Sequence, residues 1–438
     1  MASPVGCGTR RRLLPALIFA AGLSISAGIA HGAAAPEERL REVEALVAAG
    51  RLDEAEALVA PLRNIEQPAL PALFLSGMIH LARGRHAQAA EDFRAMLVRD
   101  PTLLRPRLEL GRALYLAGDY QTSRYHFEQA LAAPLPDTVR QNVLTYIGAI
   151  RNRVPSFALS LDIVSDSNPK QATSSRTIEI AGQTFVLNED ARAEEEYGLL
   201  ATLQAKFPLP SNPDLYLTGY GEIYDYPGRD LDQLYLQVMG GKYFPGARHE
   251  FNVEAGIHHG SYQGRGLYSG PAARVAYGIR LRPNLFLTAG LDAREFNYED
   301  YRYLTGWQYS QNLELRYALS TDKSIRPGLF FIQHDAQEAP YAYDAMGITV
   351  RYTQEWRGGW IAGLYAQYGV FRYRGDDVLL GVARDDDEWR VELSLTNRAL
   401  VIKGFAPRLT LGAVERDSTI DLYAFDRRYV RLGFTREF

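Results

Sequence analysis

The last ten residues of the chain, 429–438, read YVRLGFTREF. Apolar residues alternate with polar or small residues from 430 to 435, and the segment finishes on an aromatic residue, Phe438. Alternation with a period of two is typical of a β-strand with one apolar and one polar face. A strand of about ten residues with an apolar outer face and a polar inner face is the repeating unit of a transmembrane β-barrel. The segment therefore predicts the closing strand of such a barrel.

The same alternation recurs from residue 156 to the end of the sequence. The first two segments begin at Phe157 and Tyr197 and are separated by a long polar insertion. Later segments begin near Leu215, Leu231, Glu250, Ser269, Leu285, Gly306, Lys323, Asp344, Trp360, Asp387, Phe405 and Phe425. We therefore predict a barrel of about fourteen antiparallel strands over 156–438, an even number as in single-chain bacterial barrels.

The connections between these segments alternate in character. Short connections rich in turn-forming residues lie at 208–213, 245–246, 283–284, 321–323 and 358–359. The other connections are generally longer or more polar and lie at 166–190, 298–305, 335–343, 374–386 and 416–424. Outer-membrane barrels have short turns on the periplasmic side and longer loops outside. The pattern predicts that the residues before the barrel lie in the periplasm.

Charged residues of the predicted strands fall on the face opposite to the apolar one. We predict that they face the lumen, because an Arg or Lys facing lipid at mid-bilayer costs about 2–4 kcal/mol. The candidate lumen residues are Arg274, Arg280, Arg316, Arg351, Arg390, Glu392, Arg408 and Arg431. They could line a transport path, or they could pair with one another and brace the barrel.

Aromatic residues are concentrated in the same part of the chain. Only four of the 27 Tyr residues precede residue 157, and all four Trp residues follow it. Aromatic girdles at both membrane interfaces are typical of transmembrane barrels. A soluble β-sandwich or propeller is the alternative, but such a fold would not need apolar residues on the outer face of nearly every strand.

The region 37–135 repeats with a period of 34 residues, and a final helix over about 139–150 is expected to seal the stack. Gly50, Gly84 and Gly118 are spaced by 34, as are Gly77 and Gly111, and Phe93 and Phe127. This spacing and the small and aromatic residues resemble the tetratricopeptide repeat. Arrays of such repeats expose a concave surface that binds peptides or proteins. Its candidate residues, Phe74, Met78, Leu108, Arg112 and Tyr115, could also be ordinary packing residues.

Residues 1–34 have the composition of a secretory signal peptide. Three arginines at 10–12 precede an apolar run, and small residues follow it. Cys7 is the only cysteine and lies within this leader. An uncleaved membrane anchor is the alternative. The predicted organisation is therefore α+β and multidomain: a leader at 1–34, a periplasmic helical domain at 37–152 and a barrel at 156–438.

We find no motif that would bind a nucleotide or metal or activate a nucleophile, so we expect no cofactor and no enzymatic activity. The pairs at 258–259 (His-His) and 334–335 (His-Asp) leave an outer-membrane hydrolase as a minor alternative. A formal net charge of −4 gives no indication of a nucleic-acid partner.

The chain resembles the surface lipoprotein assembly modulator family. The resemblance covers nearly the whole predicted mature chain and is most specific at 397–399 (NRA), 404–409 (GFAPRL) and the final strand; the segment at 166–169 (DSNP) is also similar. It implies an outer-membrane translocon that delivers lipoproteins, or secreted proteins such as haem-acquisition factors, to the cell surface. The expected partners are such a client, outer-membrane lipid and, during biogenesis, the barrel assembly machinery; a monomer is expected.

Within the final strand, Arg431, Gly433 and Phe438 resemble the signal that the barrel assembly machinery reads, although Arg436 occupies a position where a hydrophobic residue is expected. A porin that exports polysaccharide, or that passes solutes passively, remains the alternative function.

Overall fold

The computed structural model describes residues 34–435, apart from 64–67, 154, 181–182, 189–190, 229, 247 and 403–404. Apart from its last residue, the predicted leader lies outside these residues, as does Phe438. Within the described ranges, helices precede a single closed antiparallel barrel.

Seven helices lie before the barrel in the described part of the chain. They are α1 (Ala34–Ala48), α2 (Leu52–Arg63), α3 (Leu70–Ala82), α4 (His86–Arg99), α5 (Leu104–Ala117), α6 (Tyr120–Ala130) and α7 (Asp137–Arg153). Gly118 follows α5 with a φ of +87°, a left-handed conformation that suits glycine at a helix C-terminus. We call these seven helices the helical module.

Small residues let consecutive helices of the module approach closely. A Cβ on Gly77 would lie 2.7 Å from the ring of Phe93, and a Cβ on Gly111 would lie 2.9 Å from the ring of Phe127. Both rings are almost completely buried. The Phe127 ring also stacks on Tyr146 of α7, with the ring centroids 5.0 Å apart. The repeated Gly and Phe positions therefore form the same contact in two successive helix pairs.

The barrel contains fourteen strands among the described residues, as predicted. They are β1 (Ser156–Asp166), β4 (Glu196–Leu209), β5 (Asn212–Asp225), β6 (Gln233–Pro245), β7 (His249–Tyr262), β8 (Arg265–Arg282), β9 (Leu285–Tyr298), β10 (Gly306–Ser320), β11 (Lys323–Ala336), β12 (Tyr343–Glu355), β13 (Trp360–Asp376), β14 (Ala383–Asn397), β15 (Ala406–Ser418) and β16 (Phe425–Thr435). The barrel closes where β1 pairs with β16.

One small sheet was not predicted. Strands β2 (Thr177–Ile180) and β3 (Gln183–Val186) pair as a hairpin inside the long connection between β1 and β4. The sequence shows only a polar insertion there, and four-residue strands are too short to give a clear alternation.

The two ends of the barrel differ in their connections. We call the end where β1 begins the turn end, and the opposite end the loop end. The turn end carries most of the short connections, such as 210–211, 283–284 and 321–322, although the connection at 398–405 is longer. The connections at the loop end are generally longer. The exception is the two-residue turn of Gln263 and Gly264, which have φ angles of +54° and +71°.

The strands present their apolar side chains outward. Leu161, Ile163 and Leu432 are 54%, 62% and 57% exposed, whereas the alternate residues Asp162 and Thr435 are 3% and 1% exposed. This alternation gives an apolar outer surface and a polar interior, which is the arrangement that a lipid bilayer requires.

We predict that Gly111→Ala destabilises the helical module by about 1–3 kcal/mol, because the new methyl group overlaps the buried Phe127 ring. Gly148→Ala in α7 is the matched control, because nothing lies within 4 Å of its Cβ position. The control should be neutral or more stable, since alanine favours a helix over glycine. Thermal unfolding of the full chain in detergent, followed by circular dichroism at 222 nm, measures both. Equal effects of the two substitutions would contradict the packing role of Gly111.

Candidate functional site

The helical module contacts the barrel at the turn end. The Gly358 amide, in the turn between β12 and β13, donates to the Val98 carbonyl of α4, with an N–O distance of 2.5 Å. A Cβ on the adjacent Gly359 would lie 2.8 Å from the backbone nitrogen of Ala399 and 3.2 Å from the side chain of Val98. Glycine at this position therefore lets the turn and α4 approach each other.

A carboxylate lies at the centre of this junction. Glu355, the last residue of β12, accepts from Arg107 of α5 at both oxygens, with N–O distances of 3.1 and 2.7 Å. An Nη of Arg398, which follows β14, lies 2.9 Å from Glu355 Oε1. The Tyr125 hydroxyl of α6 donates to the same oxygen. We call these four residues the Glu355 cluster.

The charged side chains of the Glu355 cluster are almost completely removed from solvent, and Tyr125 is half-buried. The side chains of Arg107, Glu355 and Arg398 are 0%, 3% and 4% exposed. Charges are buried in proteins only when they are paired, because leaving water costs several kcal/mol per ion. The bidentate Arg107 pair, the second arginine and the hydroxyl together meet this requirement. Separating the module from the barrel would leave Arg107 without a carboxylate, whereas Glu355 would keep only Arg398, which also belongs to the barrel.

The groups of α6 beside the cluster are held neutral. Burial lowers the pKa of His126 well below its ordinary value, and the cations Arg398 and Arg107 lower it further. Arg107 Nη1 lies 3.3 Å from His126 Nδ1. Because arginine can only donate, the imidazole accepts through Nδ1. Burial and the nearby carboxylate raise the pKa of Tyr125, so its hydroxyl keeps the proton that it donates to Glu355.

Helix α6 makes a second contact, with the lumen face of the turn end. Glu128 Oε1 lies 2.8 Å from Arg124 Nε and 3.4 Å from Arg316 Nη1 of β10. Tyr125, Glu128 and Gln129 share a small cleft with three lumen arginines, Arg280, Arg316 and Arg326. The helical module therefore extends over the barrel mouth at the turn end.

Five of the candidate lumen residues line one cavity of about 610 Å³: Arg351, Arg390, Glu392, Arg408 and Arg431. Their charges are largely paired. Arg408 lies 3.2 Å from Asp162, and Arg431 lies 3.2 Å from Glu392.

The other three candidate lumen residues lie elsewhere along the strands. Arg274 Nη2 lies 2.7 Å from Asp292 Oδ1, Arg316 contacts Glu128, and Arg280 donates to the Pro283 carbonyl at 2.8 Å. The geometry does not gather the eight residues into a single site.

The candidate client surface divides between two packing clusters. Phe74 and Met78 of α3 pack against the core around Phe93, and Leu108 and Tyr115 of α5 pack against the core around Phe127. Arg112 lies 3.7 Å from Glu109. All five residues are half-buried, so each has both packing contacts and an accessible part.

Two of the three histidines considered for hydrolysis, His258 and His334, lie among aromatic rings of the lumen. His258 Nε2 lies 2.9 Å from the Glu295 carbonyl, and its ring is edge-on to Phe296 with the centroids 4.9 Å apart. His334 packs against Phe296 and Tyr343. Across the described residues, no group of three or more His, Cys, Asp or Glu side chains could hold a metal ion.

None of the helices described between residues 34 and 153 is long and apolar enough to cross a membrane. The apolar outer face, the polar lumen with paired charges and the helical module at the turn end define a class, the outer-membrane β-barrel proteins. A sequence profile of the surface lipoprotein assembly modifier family matches residues 156–438, more than half of the chain. The chain belongs to this family.

Curated relatives extend the similarity over the helices. Surface lipoprotein assembly modifier 1 of Neisseria meningitidis is 24% identical over 399 residues, covering 86% of this chain and 78% of the relative. The protein of the same name from Haemophilus influenzae is 21% identical over 367 residues, covering 81% and 75%. The hemophilin secretion modulator of Acinetobacter baumannii is 21% identical over 392 residues, covering 83% and 78%.

Solved structures give a weaker likeness. The deltaS2 mutant of the TodX monoaromatic hydrocarbon channel is 9% identical, with a TM-score of 0.40, over 67% of this chain and 92% of that channel. This TM-score is too low to support an inference about function.

We predict that Glu355→Gln weakens the attachment of the module by about 3–5 kcal/mol, because two buried arginines lose their shared carboxylate. Amide hydrogen exchange of α6 in the intact protein measures the attachment and should increase. The matched control is Asp344→Asn at the loop end, which removes a solvent-exposed pair with Arg374 and should cost less than about 1 kcal/mol. Unchanged exchange in α6 would show that the cluster does not hold the module.

We also predict that the attachment weakens as the pH falls from 7 to 5. The pKa of His126 is lowered while the module is attached to the barrel. If the module separates and His126 regains its ordinary pKa of about 6.5, it binds a proton below that pH, and this proton uptake favours the separated form. The stability is therefore present above pH 6.5 and is lost as the pH falls. His126→Asn retains an acceptor that does not titrate and should flatten this dependence in the same exchange measurement. Parallel pH profiles for the variant and the unmodified protein would exclude His126 as the cause.

Proposed function

We propose that this protein exports surface lipoproteins, or related secreted proteins, across the outer membrane, and that the helical module receives the client in the periplasm. Membership of the surface lipoprotein assembly modifier family supports the class of client. The hemophilin secretion modulator, which has a similar sequence over most of its length, supports a wider range that includes secreted proteins.

The role proposed for the helical module is supported by the way in which the module is attached to the barrel. The contacts with the barrel come from α4, Thr102, Arg107, α6 and α7. The candidate client surface makes its observed contacts inside the module, with partners such as Phe93 and Tyr146. Attachment and client binding would therefore use different side chains, so the module could bind a client while it stays on the barrel.

The character of that surface fits an extended polypeptide with apolar and acidic side chains. Phe74, Met78, Leu108 and Tyr115 supply apolar and aromatic contacts. Arg112 and Arg105 supply positive charge, and the Arg105 guanidinium lies 4.6 Å from the centroid of the Phe74 ring. Repeat arrays bind extended segments in this manner.

The barrel would provide the polar environment for the crossing. Backbone N–H and C=O groups of a translocating chain cannot remain unpaired in hydrocarbon. Passive diffusion is less well supported, because α6 places Tyr125, Glu128 and Gln129 at the mouth.

Polysaccharide export remains a second candidate. It is favoured by a row of lumen rings that includes Tyr268, Phe296 and Tyr343, because sugar rings bind well to aromatic faces. Loss of extracellular polysaccharide, with normal lipoprotein display, in cells that lack this protein would favour that reading.

We predict that Met78→Ala combined with Leu108→Ala reduces lipoprotein display at least tenfold, because both truncations remove apolar contact area from the client surface. The measurement is the fraction of palmitate-labelled lipoproteins that proteinase K can reach on intact native cells. Leu58→Ala combined with Leu62→Ala is the control, since these half-buried leucines lie on α2, outside the surface, and their truncation has a similar packing cost. Equal display in both double variants would contradict client binding at this surface.

A further inference from the structure

The junction between β1 and β16, which we call the seam, differs from every other strand junction of the barrel. At every other junction the two strands are joined by a turn or loop, which for β1 and β4 is the long connection that contains β2 and β3. At the seam, Ser160 to Asp166 pair with Thr435 to Tyr429, the first strand against the last. Separating these two strands requires loss of hydrogen bonds and side-chain contacts, but no connection has to stretch.

Two ion pairs of the lumen cross the seam. Asp162 on β1 lies 3.2 Å from Arg408 of β15, and Asp166 on β1 pairs at 2.5 Å with Arg427 of β16. The aspartates are 3% and 0% exposed. At Gly433, a Cβ would lie only 2.0 Å from the Leu161 carbonyl oxygen, so glycine is required for the close approach of the strands. The seam is therefore closed by specific and separable contacts.

The helical module is joined directly to one side of the seam. Helix α7 ends at Arg153, and β1 begins at Ser156. The Glu355 cluster attaches the module to the barrel elsewhere, at β12 and just after β14. A tilt of the module about the Glu355 cluster would therefore pull on β1, the strand that no turn or loop ties to β16.

Lipid anchors impose a condition on the path of a lipoprotein. The polypeptide needs a polar path, whereas each CH₂ group of its acyl chains favours hydrocarbon over water. A closed barrel offers only the polar lumen. An opening in the barrel wall offers both environments side by side.

We propose that the seam opens laterally to the membrane during export, and that the freed edges of β1 and β16 pair with an extended segment of the lipoprotein client. This rests on the proposed export function. The occupant is a strand with alternating polar and apolar residues, because its apolar side chains must meet lipid beside Leu161, Ile163 and Leu432 while its polar side chains face Asp162 and Arg431. Strand addition to an open edge satisfies the backbone groups of both partners.

The test is a reversible covalent closure of the seam. Ser165 and Val430 are directly paired across it, so Ser165→Cys with Val430→Cys allows a disulfide to form. Leu411→Cys with Val430→Cys is the matched control, since it links the same residue to β15, which a loop already joins to β16. The only native cysteine, Cys7, lies outside the described residues. Display of palmitate-labelled lipoproteins on intact cells is measured after oxidation and again after reduction.

The seam disulfide should reduce display at least tenfold, reduction should restore it, and the control disulfide should leave it unchanged. Normal display with the oxidised seam would overturn lateral opening and leave export through a closed lumen. Equal loss with both disulfides would also overturn it, because the effect would not be specific to the seam.

A second pair of cysteine variants and a strain that lacks the protein make the outcome interpretable. If the Ser165 variant does not insert, as judged by a heat-dependent shift of the barrel on a gel, Ile163→Cys with Leu432→Cys replaces it, and Leu409→Cys with Leu432→Cys becomes its control. If cells that lack this protein display the same lipoproteins as normal cells, the proposed export function itself fails.

Discussion

The carboxylate of Glu355 joins the helical module to two segments of the barrel, the end of β12 and the residues after β14. It receives Arg107 from α5, Tyr125 from α6 and Arg398 from the segment after β14. A buried ion pair of this kind is weak evidence for net stability, because desolvation offsets much of the attraction. Its main consequence is specificity: an arginine without its carboxylate is strongly disfavoured in the interior. The module can therefore sit stably at one position on the turn end, and the cover that α6 forms over the mouth depends on that position.

The barrel was predictable from the sequence because its two faces meet very different surroundings. Lipid selects apolar side chains such as Leu161 and Ile163, and the lumen selects polar ones such as Asp162, so the alternation is strong in nearly every strand. The predicted number of strands is confirmed, although strand starts such as Asp387 differ from the observed bounds by up to four residues. The ends of the strands are harder to predict than their number, because the alternation continues into polar loops, where neither face is buried.

The junction was not predicted, for a physical reason. Arg107 and Glu355 are 248 residues apart, and neither residue belongs to a local motif. A signal does exist in the repeat itself. One period before Arg107 lies Leu73, a buried residue of the module core, so an arginine at this position indicates a buried charge that needs a partner. The repeat cannot identify that partner, since any acidic residue at the turn end could pair with a buried arginine.

The pairing of lumen charges limits what electrostatics can say about the path of a client. Arg408, Arg427 and Arg431 each meet a carboxylate, so the positive charge of these three arginines is already paired inside the lumen. If the protein exports a client as proposed, that client would be selected before the lumen or would enter by displacing such pairs. Two of these pairs, Asp162–Arg408 and Asp166–Arg427, also hold β1 against the last strands. Displacing them would admit a polar chain to the lumen and loosen the barrel wall in the same step, because one set of contacts serves both.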